Sequence, residues 1–125
     1  MVKKILLVDD DPNILELVGA YFDRPGKVEV LKAMDGEQGL ALATQMKPDL
    51  IITDQMMPKM AGYEMIQQLR AKDETKNIPF IMLTAKTFDQ EFPELLKLQG
   101  GEFLAKPIQP GELMLLVESF LGPIF

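Results

Sequence analysis

Three aspartates, Asp9, Asp10 and Asp11, follow directly on the apolar run Ile5 to Val8. Adjacent carboxylates repel one another unless a cation or a helix N-terminus takes up their charge, so the triplet reads either as a ligand site or as a solvated acidic turn. Three further residues with chemistry to offer, Asp54, Thr84 and Lys106, also stand at the ends of apolar runs. Gathered in one place, the carboxylates would bind a hard divalent cation, while the hydroxyl and the ammonium would address an anion. Magnesium suits that donor set, because it takes oxygen ligands, keeps waters and is often completed by a phosphate oxygen. Asp54 would then be placed to attack a phosphoryl group and hold it as an aspartyl phosphate. With neither histidine nor cysteine in the chain, any chemistry must rest on carboxylates, hydroxyls, lysines or a bound metal.

The elements that would have to position these residues follow from hydrophobic periodicity. Runs at Ile5 to Val8, Val28 to Leu31, Leu50 to Thr53, Phe80 to Leu83 and Glu102 to Ala105 predict five strands. Between and after them, apolar residues three and four apart predict five helices: Ile14, Leu17, Val18 and Tyr21; Leu40 and Ala43; Met65, Ile66 and Leu69; Leu95 and Leu98; Leu113, Leu116, Val117 and Phe120. Strict alternation implies parallel strands joined by right-handed crossovers, with helices on both faces of the sheet. In such a sheet ligands bind beyond the carboxyl ends of the strands, where the strand order reverses. The chemistry-bearing residues all fall at those ends. Asp35 to Gln38 reads as a capping box, and prolines at positions 48 and 79 stand just before strands.

Composition sets the bounds. The 125 residues form one domain, 1–125, large enough to bury a core without disulfides. The absence of cysteine excludes a disulfide framework and thiolate zinc sites, and permits a reducing cytoplasm. No apolar run approaches the roughly 20 residues that span a bilayer, and no signal-peptide pattern is present. A net charge of -6 argues against direct binding to nucleic acid. The nine methionines read as gap-filling side chains and not as soft-metal ligands.

Four stretches, ILLVDDDP, DLIITDQMMPKMAGYEMI, IPFIMLTA and GGEFLAKPI, together resemble response-regulator receiver domains of two-component signalling, and the likeness extends over the whole chain. It implies an α/β, flavodoxin-like doubly wound sheet of five parallel strands in the order 2-1-3-4-5. It also implies that Asp9 and Asp10 are the metal-binding pair, that Asp54 is the phosphoacceptor, and that Met56 contributes its backbone carbonyl to Mg2+. By the same resemblance Thr84 bonds the phosphoryl group, Lys106 neutralises it, Lys106-Pro107 is cis, and Phe103 is an aromatic switch that moves with Thr84. The implied partners are a sensor histidine kinase or histidine phosphotransfer protein and an output domain or target protein, in the cytoplasm. The only catalysis implied is the domain's own phosphorylation and slow dephosphorylation.

Within this frame Asp11 reads as a helix N-cap ahead of Pro12. Ala61 departs from the family, which often has Asp or Asn there, and Pro93 falls inside the segment of the family's fourth helix. Met56 and Lys86 flank the path of the hydrolytic water in the family, and neither offers an acceptor to align it, which predicts slow hydrolysis. A haloacid-dehalogenase-like phosphatase would use Asp9 and Asp11 with Thr84, but Pro12 and the missing later acidic motif oppose it. A pseudo-receiver would lack the acceptor or the acidic pair, and both are present.

Overall fold

The computed structural model describes residues 2–84 and 100–123. Its order is β1 (Lys3–Val8), α1 (Pro12–Phe22), β2 (Val28–Ala33), α2 (Gly36–Met46), β3 (Leu50–Asp54), α3 (Gly62–Arg70), β4 (Phe80–Thr84), β5 (Gly101–Ala105) and α4 (Pro110–Leu121). The helix expected around Leu95 and Leu98, with Pro93 and Lys86, lies outside the described residues. The strands pair in parallel in the order β2-β1-β3-β4-β5. The expected flavodoxin-like topology is therefore present. Among the described residues four of the five expected helices are seen.

Alternating side chains along each strand feed two cores, one on each face of the sheet. On one face Ile5, Leu7, Ile52, Ile81 and Leu83 pack with Leu15, Val18 and Phe22 of α1 and Leu113 and Val117 of α4. On the other, Leu6, Val8, Ile51, Phe80 and Met82 pack with Ala43 of α2 and Met65, Ile66 and Leu69 of α3. Each fully buried side chain of this size contributes roughly 1.5–3 kcal/mol relative to an exposed one. The central strands β3 and β4 are buried at every position, as strands covered on both faces must be. One expectation shifts here. The spacing places Leu17 on the apolar stripe of α1, but it is 54% exposed, and the buried residues are Leu15, Val18, Gly19 and Phe22. The face turned to the sheet runs through Leu15, Val18 and Phe22, and Leu17, about 100° around the helix from Val18, falls outside it.

Local capping fixes where the helices leave the sheet. Asp11 is the N-cap of α1, its Oδ1 accepting from the Asn13 N–H at 2.9 Å, with Pro12 opening the helix. At α2, Asp35 Oδ1 accepts from Gln38 N–H at 2.8 Å. The reciprocal bond differs from a strict capping box: Gln38 Oε1 accepts from Met34 N–H at 3.0 Å, one residue upstream of the cap. No helix among the described residues is long and apolar enough to cross a membrane.

Candidate functional site

The carboxyl ends of β1, β3, β4 and β5 meet at one edge of the sheet, because β1 and β3 are neighbours although β2 intervenes in the chain. Asp9 follows β1, and its N–H donates to Ala33 O at 3.1 Å, which holds it at the junction with β2. One of its oxygens, Oδ1, accepts from Asp11 N–H at 2.9 Å. The other, Oδ2, is buried and has no hydrogen-bond partner. Asp54, the last residue of β3, is 7% exposed. Asp9, Asp10 and Asp54 each present a carboxylate oxygen within 4.8 Å of the others, with Asp10 on the solvent side.

Lys106, just beyond β5, is the counter-charge. Its Nζ lies 3.3 Å from Asp54 Oδ2 and 4.0 Å from Asp9 Oδ2. Its N–H donates to Thr84 O at 2.8 Å, and Lys106-Pro107 is cis, as expected. One ammonium against three carboxylates leaves the group under-compensated. Burial, first, and then the charges of Asp54 and Asp10 push Asp9 above the usual carboxylate range, opposed by the Asp11 N–H and by Lys106. A buried carboxylate oxygen with no hydrogen-bond partner and only a distant ammonium, inside an all-oxygen donor set with excess negative charge, fits a hard dication such as Mg2+.

Thr84 ends β4 and is 5% exposed. It pairs with Ala105, and Met82 pairs with Phe103, so Thr84 and Phe103 stand on the same face of the sheet, two positions apart. Phe103 is half-buried against the α2/α3 core. Met56 lies in the bend after β3 and is 74% exposed; its thioether is a soft donor that does not suit a hard cation.

Three residues around Asp54 were not anticipated. Thr53 Oγ1 donates to Asp54 O at 2.9 Å. Gly62 packs against that same carbonyl so closely that a Cβ would overlap it. Gln55 bonds to β4 and to the start of α3. Their only sequence signal is adjacency to Asp54 and a glycine beginning a helix.

A family model for the response regulator receiver domain matches residues 5–118. The chain belongs to that family. Its curated relatives include the alkaline phosphatase synthesis transcriptional regulatory protein PhoP of Bacillus subtilis, 42% identical over 123 residues, which cover 97% of this chain and 49% of that one. This receiver thus spans about half the length of that relative. Among solved structures, chemotaxis protein CheY4 of Vibrio cholerae superposes with a TM-score of 0.84 at 33% identity, covering 96% of this chain and 99% of the other. The receiver domain of sensor histidine kinase PA1611 of Pseudomonas aeruginosa, with magnesium coordinated in its active-site cleft, gives 0.81 at 29% identity and covers 98% and 100%. Membership sets aside the phosphatase reading. Residues 5–118 are a receiver domain of the kind that response regulators carry.

Proposed function

We propose that this receiver accepts a phosphoryl group on Asp54 from a phosphohistidine of a sensor histidine kinase or histidine phosphotransfer protein in the cytoplasm. The observation that carries it is the Asp54 carboxylate at a strand end, 3.3 Å from Lys106 Nζ and grouped with Asp9 and Asp10. The donor histidine must come from another molecule, since this chain has none. Asp9, Asp10, Asp54 and the backbone carbonyl of Met56 would hold Mg2+. Bound there, the ion supplies positive charge to the phosphoryl oxygens.

In the transfer an Asp54 oxygen attacks phosphorus in line with the departing imidazole nitrogen. The P–N bond breaks, its electron pair leaves with the imidazole, and a proton on that ring keeps it a good leaving group. Lys106 exchanges its contact with the Asp54 carboxylate for one with the new phosphoryl oxygens. The Thr84 hydroxyl donates to another of them, and its movement frees space on the face it shares with Phe103. The modification adds about 1.5 to 2 negative charges, enough to shift an equilibrium between two surfaces read by an output domain or target protein.

Incubation with acetyl phosphate and Mg2+ tests this. The expected result is a single hydroxylamine-labile phosphoryl group on Asp54, lost in Asp54→Ala. Full labelling of that variant would overturn the assignment, and no labelling of the wild type would make the domain a pseudo-receiver.

A further inference from the structure

The segment from Asp54 to Gly62 leaves the sheet, bends, and returns to begin α3. Helices start with N–H groups that have no partner inside the helix, and an Asp, Asn, Ser or Thr side chain at the N-cap normally accepts one of them. Here the N-cap of α3 is Ala61, which has no acceptor on its side chain. Gln55 takes over that task from seven residues away from the first helical position. Its backbone carbonyl accepts from Gly62 N–H at 3.0 Å, and its side-chain Oε1 accepts from Tyr63 N–H at 2.8 Å. Its own N–H donates to Leu83 O at 3.2 Å. One residue, next in the chain to Asp54, therefore binds β4 on one side and the first two N–H groups of α3 on the other.

We infer that Gln55 is a positioning residue for the acidic site, a clamp that closes the base of the 56–61 loop and sets the Asp54 carboxylate and the Met56 backbone against Asp9 and Asp10. The ties of the loop to side chains outside it are long where they are polar, with Lys59 Nζ 3.7 Å from Asp35 Oδ2 and mostly exposed and Ala61 N–H 3.4 Å from Glu64 Oε1, and are otherwise the apolar packing of Met57 and Met60 against the α2/α3 core. Gly62 sits against the Asp54 carbonyl, so displacement of the α3 start is transmitted to the backbone of Asp54 itself. A helix cap supplied by the Ala61 position would hold α3 alone. Supplied by Gln55, it ties α3 to the strand end that carries the chemistry. The metal part of this inference rests on the reading of the acidic group as a Mg2+ site.

The test uses Gln55→Met, which keeps the stem and removes the acceptor, Gln55→Glu, which keeps the acceptor, and Gln55→Met/Ala61→Asn, which returns a cap to α3 without the clamp. Without metal, Gln55→Met should speed amide exchange at Tyr63 and move the Asp54 carboxyl carbon resonance, with Gln55→Glu retaining Tyr63 protection. An unmoved Asp54 resonance in Gln55→Met overturns the inference whether or not Mg2+ binds. In Mg2+ titrations Gln55→Met should lose about tenfold in affinity, the scale on which groups that orient metal ligands act. The double variant should recover thermal stability and keep the weakened affinity. Affinity unchanged in Gln55→Met, or restored in the double variant, would show a plain helix cap. Failure of the wild type to bind Mg2+ would instead remove the metal reading and leave the exchange and resonance data to decide the clamp.

Discussion

Asp9 and Asp11 stand two positions apart and meet opposite fates: Asp11 Oδ1 caps a helix, while Asp9 keeps one oxygen buried and unbonded. Because Asp9 is pushed above the usual carboxylate range in the fold, the folded state holds its proton more tightly than the unfolded chain does. Its destabilising contribution is therefore full at neutral pH and is relieved as pH falls through the raised value. Asp9→Asn should raise the metal-free stability at pH 7 by about 1 kcal/mol, the scale of a buried polar group without a partner. Urea melts at pH 7 and pH 4 check this, with the gain smaller at the lower pH. The same variant should lose Mg2+ binding. Asp11's task is legible from sequence because Asp-Pro at a helix start is a local signal. The strain on Asp9 is not, since it depends on burial in the fold and on Asp54 arriving from another strand. Met56, 74% exposed, permits a second test at this scale. Met56→Asn should shorten the life of the phosphorylated form by offering an acceptor to the hydrolytic water, with Met56→Leu as the control that leaves it unchanged.

Between elements, two glycines separate what holds the sheet from what holds the site. A Cβ at Gly62 would overlap the Asp54 carbonyl, and one at Gly101 would overlap the ring of Phe80 where β5 begins beside β4. Overpacking of this kind costs typically 1–3 kcal/mol. Gly62→Ala and Gly101→Ala should both lower the urea midpoint, but only Gly62→Ala should also weaken Mg2+ binding, because only Gly62 touches the residue that carries the carboxylate. Titration of the two variants side by side checks the division. Strand positions were legible from apolar runs to within one or two residues; β1 begins at Lys3 instead of Ile5 because Lys3 already pairs with Val28. The bond from Gln38 to Met34 was not, since it depends on the angle at which β2 hands over to α2. Nor was the role of Gln55, since only the missing acceptor at Ala61 hints that another residue must cap α3.

The whole molecule divides at its sheet into two cores, and the acidic group lies where neighbouring strands β1 and β3 emerge from between them. A cation that binds only the folded arrangement stabilises all of it through linkage, by about 2.7 kcal/mol at a concentration one hundred times its dissociation constant. Thermal melts should therefore rise with Mg2+ in the wild type, and the rise should vanish in Asp10→Ala, whose exposed side chain leaves the core untouched. Alternating strands and helices made a parallel sheet with right-handed crossovers legible, whereas the order β2-β1-β3-β4-β5 was implied only by the resemblance to receiver domains. The pairing of β1 with β3 has a kinetic side. Asp9 and Asp54 are remote in sequence, so their mutual repulsion is absent from the unfolded chain and arises when those two strands come together. That pairing joins the central strand β3 to a strand whose last four residues are buried, and we expect it in the folding transition state. Mg2+ and Asp9→Asn should then act mainly on the folding arm of the chevron, both accelerating folding, with little change in the unfolding arm. Changes confined to the unfolding arm would mean that the carboxylates meet only after the barrier is crossed.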